Sequence, residues 1–234
     1  MAETLQAVLL SSTGLFFSCG TSSILVDVLN GAFRCFRAVD AGTARAVILG
    51  EPPYDQVDGI FYSHLHPDHY DQASNAAFLR RHPGISAFFP QADTPDHGVV
   101  HTGAFTVEYQ YLEHVPCDYA WAKHYVFLIS AGGTSVYLTT DAGLAVEGHR
   151  AFLGGRPVDY AFWNAIYLSY PQTRRLLREA AAKTYIYHMP EPAGDTSGIC
   201  RKAARNFARY PEELAACTVL TQYPSALSLP PLTK

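Results

Sequence analysis

With 234 residues, 48% of them hydrophobic and 16% charged, the chain has enough apolar material to close a sizeable core without a metal or a disulfide holding the fold. A formal net charge of −4 and the lack of any long Lys/Arg run argue against nucleic acid as a partner and leave a small anionic substrate open. Five scattered cysteines (Cys19, Cys35, Cys117, Cys200 and Cys217) without C-x-x-C spacing argue against a disulfide framework or a cysteine-rich zinc knot, and read as reduced thiols.

The chain opens with β structure: Ala7–Leu10, Gly14–Ser18 and Ser23–Val28 are short apolar runs divided by Ser/Thr/Gly turns. The serines, Thr13 and Gly14 break the first apolar stretch well short of a membrane span. Arg34 is the first basic residue, too late for the charged start of a secretory leader. The expected location is therefore the cytoplasm, with no membrane partner. Asn30-Gly31 is a turn signal, and Gly59–Tyr62 is a strand leading into Ser63-His64-Leu65-His66-Pro67-Asp68-His69-Tyr70-Asp71. A helix is predicted over Gln72–Arg81, stopping before Pro83-Gly84. Strands follow at Ser86–Phe89, Phe105–Leu112, Tyr125–Ser130 and Ser135–Leu138, the last two joined by the hairpin turn Ala131-Gly132-Gly133-Thr134.

Beyond Asp141 the pattern changes to a short helix at Leu144–Phe152, a strand at Val158–Trp163, a helix at Gln172–Ala182 and a strand at Thr184–Tyr187. A last helix spans Gly198–Ala208, and the Pro-rich tail is expected to be only partly ordered. A β-rich half with one helix, then a β-rich half with several, fits an αββα sandwich: an α/β fold of two mixed β-sheets with helices on the outer faces, in a single domain over residues 1–234. Periodicity alone does not separate it from other α/β folds.

The segment His64–His69 is the most informative. His64 and His66, two apart in an extended stretch, point to one side. Pro67 forces a turn, after which Asp68 and His69 can reach a second position nearby. Three imidazoles and a carboxylate in six residues suit divalent ions such as zinc. A strand feeding this set makes it far more than a His-rich surface loop.

The segment closely resembles the H-x-H-x-D-H signature of the metallo-β-lactamase superfamily. That resemblance implies that His114 joins His64 and His66 on a first metal, that Asp68, His69 and His188 hold a second, and that Asp141 bridges them. Asp27, in Ile24-Leu25-Val26-Asp27, would orient the site through hydrogen bonds. The likeness runs from about residue 22 to 190, and is nearest to the small single-domain group with ascorbate-6-phosphate lactonase-like and phosphodiesterase-like enzymes. Thr140 departs from it, standing where many relatives have Gly before the bridging Asp. So does Met189-Pro190 after His188. Two divalent ions are implied, zinc ahead of manganese and iron behind both. They would hydrolyse an ester, lactone or phosphodiester of a small molecule by a hydroxide drawn from water, with a catalytic role for Asp68 in positioning or accepting its proton.

Asp141 in place of the Cys or His common in exported β-lactamases argues against that activity, and the lack of an RNA-holding arm argues against a tRNA-processing nuclease. An iron-dependent redox or oxygenase member and a metal-bound protein without catalysis are the alternatives. His82, His97, His101, His124 and His149 read as exposed or structural, His124 being the one nearest the His114 loop. Glu113 reads as a surface or supporting group. Asp71 either supports the site or caps a helix. Tyr62, Tyr70, Tyr119, Trp121, Trp163 and Tyr167 read as packing more than substrate contact. Arg174 and Arg175 read as the solvated face of their helix.

Overall fold

A computed structural model describes residues 3–115 and 123–232; Cys117, Tyr119 and Trp121 lie outside the described residues. Alternation builds the first sheet. In β1 (Leu5–Leu9), Leu5, Ala7 and Leu9 face inward, with Gln6 exposed between them. β2 (Leu15–Cys19) and β3 (Ser22–Val26) continue antiparallel from it, and β4 (Val57–Phe61) and β5 (Ser86–Phe88) add in parallel. The parallel pairs need crossovers. These are α1 (Ala41–Leu49) and α2 (Gln72–Arg81), which press Val47 and Phe78 against Leu25, Ile60 and Tyr62 on the outer face.

The second sheet begins with the antiparallel strands β6 (His97–Thr102), β7 (Phe105–Tyr111), β8 (Tyr125–Ala131) and β9 (Thr134–Leu138). It continues in parallel through β10 (Val158–Asn164), β11 (Ala181–Tyr187) and β12 (Cys217–Val219). The intervening helices α3 (Val146–Leu153), α4 (Pro171–Ala180) and α5 (Ile199–Arg209) cover its outer face. β10 is buried on both sides. Tyr160 and Phe162 enter the layer between the sheets, while Ala161 and Trp163 meet the helices. This is why it reads as a continuous apolar run. The layers are thus the expected αββα sandwich. No helix among the described residues is long and apolar enough to cross a membrane.

Several expectations need correction. The tail is ordered over its described part: β12 extends the second sheet, and β13 (Ser225–Leu229) pairs with β1 and forms an edge of the first. Ala181 and Ala182 are strand, because Val158 of β10 pairs with Ala181 and overrides alanine's helix preference. α1 escaped the sequence reading although its ends are marked by the Asp40 side chain accepting from Thr43 N and by Gly50 in the left-handed region. Arg174 is not solvated. Its Nε donates to Glu213 Oε2 at 2.8 Å, Nη1 donates to the Leu168 carbonyl at 3.2 Å, and the guanidinium lies 3.6 Å from the Tyr210 ring centroid.

His149 is buried beneath the turn that follows Asp141. Tyr137 OH donates to its Nδ1 at 2.6 Å, and Nε2–H points to the Gly143 carbonyl at 3.1 Å. Burial pulls its pKa from 6.5 to about 4. The native ring stays neutral while the unfolded chain takes up a proton between those values, so its contribution is complete above about pH 6.5 and is lost as pH falls towards 4. Urea unfolding of the metal-free protein should show a loss of ~3 kcal/mol from this group. The slope should be smaller in His149→Gln; equal slopes would remove His149 as its source.

Candidate metal centre

The site lies where strands end. Asp27 follows β3, Ser63 and His64 follow β4, His114 follows β7, Asp141 follows β9 and His188 follows β11. The carboxyl ends of parallel strands are where open α/β sheets form binding crevices. After His66 the chain turns back on itself, with His69 N and Tyr70 N donating to the His66 carbonyl at 2.9 and 2.8 Å. Thr13 Oγ1 donates to the Asp68 carbonyl at 2.5 Å, and Gly31 N donates to the Pro67 carbonyl at 2.7 Å. The ligand loop is therefore gripped by two earlier loops. Asn30 fastens those together, with Nδ2 2.8 Å from Ser11 Oγ and Thr13 Oγ1.

All seven side chains singled out in the sequence come together. Three groups have donor atoms mutually close enough to hold an ion: His64, His66 and His114; Asp68, His69 and His188; and His64, His69 and Asp141. Asp141 Oδ2 lies 3.8, 3.5 and 3.6 Å from Nε2 of His64, His69 and His114, and Oδ1 lies 3.3 Å from His188 Nδ1. His188 Nε2 is 3.2 Å from Asp68 Oδ2.

Three of these rings turn an Nδ1 proton away from the cluster. His69 Nδ1–H donates to Asp27 Oδ2 at 2.8 Å, and His114 Nδ1–H donates to the Val115 carbonyl at 2.5 Å. His64 Nδ1–H donates to Ser63 Oγ at 2.9 Å, and that hydroxyl donates to Asp27 Oδ2 at 2.7 Å. Asp27 Oδ1 also accepts Ser63 N at 2.8 Å. One buried carboxylate thus fixes the orientation of both His64 and His69. In consequence Nε2 of His64 and Nε2 of His114 both face the cluster, 3.3 Å apart, and His66 Nδ1 lies 2.9 Å from His64 Nε2, the close convergence of imidazole nitrogens that a shared ion requires. Donors on a tetrahedral zinc with ~2.05 Å bonds stand roughly 3.3 Å apart. His69 Nε2 is buried with no hydrogen-bond partner. The donor set fits divalent metal ions.

Electrostatics agrees. Burial and the neighbouring His69 hold His64 well below the ordinary imidazole pKa. Burial would lower His69 too, but Asp27 and Asp141 outweigh it and raise it well above. Burial works to raise Asp141, yet the surrounding imidazoles of His188, His114 and His69 hold it well below the carboxylate range. Asp141 thus stays ionised and holds positive charge beside it, which a metal ion can replace by displacing the His69 proton.

Asn164, at the end of β10, was missed in the sequence. Its Nδ2 lies 2.6 Å from Asp141 Oδ1 and 2.9 Å from His188 Nδ1; nothing in a lone Asn after an apolar strand marks it. Asp71 caps α2, accepting from Ser74 N at 2.8 Å. Glu113 is exposed. Tyr62, Trp163 and Tyr167 are buried, Tyr62 OH donating to Asn75 Oδ1 and Tyr167 OH to the Gly143 carbonyl. Tyr70 packs edge-on against Tyr62.

Above the cluster opens a cleft of about 420 Å³. Phe33, Phe36, Ile166 and Ile199 give it apolar walls, and Arg34 and Lys202 are its basic side chains. The Phe36 ring stacks on His188 at 4.1 Å. A wider cleft of about 750 Å³, between α1 and α2, holds none of the metal-binding groups.

No protein-family model matches this sequence, and no curated protein is significantly similar to it. Solved structures are similar. The metallo-β-lactamase fold protein YhfI from Bacillus subtilis is 16% identical, with a TM-score of 0.65 over 97% of this chain and 99% of that one. CmlA, a diiron β-hydroxylase from Streptomyces venezuelae, is 15% identical, with a TM-score of 0.67; the match covers 97% of this chain but 54% of CmlA. A possible metal-dependent hydrolase from Veillonella parvula is 12% identical, with a TM-score of 0.63 over 98% of this chain and all of that one. The chain has the metallo-β-lactamase fold.

Proposed function

We propose that this chain is a metal-dependent hydrolase holding two divalent ions, one on His64, His66 and His114 and the other on Asp68, His69 and His188, with Asp141 shared. The meeting of both donor trios at Asp141, within 3.8 Å of His64, His69 and His114 Nε2, carries the proposal. Imidazole and carboxylate donors suit zinc first, then manganese or iron. The bound ions would supply Lewis acidity and make water acidic enough to attack at neutral pH. Asp68, ionised and held by His188, would orient that water and take its proton at a carboxylate oxygen. Asn164 holds Asp141 Oδ1, and Phe36 shields His188 from bulk water.

The substrate is a small anionic ester, lactone or phosphodiester. A 420 Å³ cleft is in the range of small-molecule sites. Its only described carboxylates, Asp68 and Asp141, would be neutralised by the ions, so that Lys202 in the wall favours negative charge. Lys202→Ala should raise KM roughly tenfold for an anionic substrate and leave kcat within about twofold. An equal rise for a neutral analogue would remove Lys202 from charge recognition.

The decisive assay offers the zinc- or manganese-loaded protein a panel of activated phosphodiesters, lactones and thioesters. Turnover of one class, lost on metal removal and in Asp68→Asn, is expected. A fully loaded protein that turns over none would favour binding without catalysis. The fold shared with a diiron hydroxylase favours an iron-dependent redox enzyme as the second reading, which gains if protein purified without added metal carries iron in place of zinc or manganese.

A further inference from the structure

Asp141 is presented by a turn that its preceding residue adopts with difficulty. Thr140 has φ 47°, in the left-handed region that β-branched residues rarely enter. Its hydroxyl is hydrogen-bonded to His124 Nε2, and that same nitrogen receives the Asp141 backbone N–H at 3.1 Å. Across the ring, His124 Nδ1 lies 3.2 Å from the Leu112 carbonyl, while Leu112 N donates to the His124 carbonyl at 3.1 Å. Nδ1–H therefore points to Leu112, and Nε2 serves as acceptor for both Thr140 and Asp141. The ring is fully buried, with its centroid 5.1 Å from that of His64 and 5.5 Å from that of His114, yet it belongs to none of the three groups able to hold an ion.

One imidazole thus joins the strand end that leads to His114 and the turn that carries Asp141. The same two segments are stitched by Val115 N to the Asp141 carbonyl at 2.8 Å and Gly143 N to the Glu113 carbonyl at 2.6 Å. Glycine at 140 would take the left-handed backbone freely, but would leave the turn without its hydroxyl link. We propose that His124 and Thr140 act as one positioning unit, setting Asp141 against the His64–His66–His114 trio so that tight metal binding depends on the Thr140 hydroxyl and His124 Nε2. The proposal rests on the two-ion reading of the site.

Metal affinity, measured by competition with a chromophoric zinc chelator, tests it alongside thermal unfolding of the metal-free protein. Thr140→Gly should relieve the backbone and leave the melting temperature unchanged or raised, while zinc affinity falls ~10- to 100-fold. Thr140→Ser, which keeps the hydroxyl, should stay within about threefold of the parent. The pair Thr140→Gly with His124→Phe should bind zinc no more weakly than His124→Phe alone, because coupled residues are not additive. Parent-like affinity in Thr140→Gly, or equal losses in the Ser and Gly variants, would overturn the positioning unit and leave the two-ion reading standing. A parent protein that takes up no zinc would overturn both.

Discussion

Asp27→Ala is expected to destabilise the metal-free protein by about 3–5 kcal/mol and to weaken metal binding at least ~10-fold. The carboxylate is fully buried and accepts three hydrogen bonds, from Ser63 N, Ser63 Oγ and His69 Nδ1. Truncation strands all three donors away from water, and each stranded group costs roughly 1–3 kcal/mol. It also frees the His69 ring and, through Ser63, the His64 ring to rotate. Asp27→Asn keeps the shape but turns an amide N–H₂ towards groups that already donate, so its loss should be intermediate. Urea unfolding gives the stability and zinc competition gives the affinity. A loss below ~1 kcal/mol in the Ala variant would mean that the carboxylate does not organise these residues.

Asp141→Ala should abolish two-ion binding and lower turnover by ~10³-fold or more, since a shared metal-bridging carboxylate contributes several kcal/mol of charge stabilisation. The geometric ground is that Asp141 approaches groups from both trios, through Oδ2 towards His64, His69 and His114 and through Oδ1 towards His188. Asp141→Asn preserves the reach of the side chain and removes its charge, so comparison of the two separates positioning from electrostatics. Metal content after dialysis, read with kcat, checks both. Two tightly held ions in Asp141→Ala would rule out a bridging role.

The most legible parts of the sequence were those where chemistry and periodicity coincide. His64–His69 compresses four polar donors behind an apolar strand, and β10 announces its two buried faces as an unbroken apolar run. Late β structure was harder. Ser225–Leu229 is a mild alternation of small residues that becomes β13 only because β1 offers it an edge. β6 likewise has little apolar content of its own and is defined by pairing with β7. At the site, single polar residues whose meaning depends on a distant partner were illegible. Asn164 carries no local signal, and His124 could not be told from a packed imidazole until Thr140 and Leu112 were seen at either side of its ring. Arg174 misled for the opposite reason: helical spacing beside Arg175 suggests a solvated face, whereas Glu213, far along the chain, draws it inward.

Anomalous X-ray diffraction from crystals of protein loaded with zinc tests the central claim most directly. Two peaks per chain are expected, ~3.5–4 Å apart. One should lie within ~2.3 Å of donor atoms of His64, His66 and His114, and the other within the same distance of Asp68, His69 and His188. Asp141 should lie between them. A single peak on one trio, or zinc bound only away from Asp141, would contradict the two-ion centre.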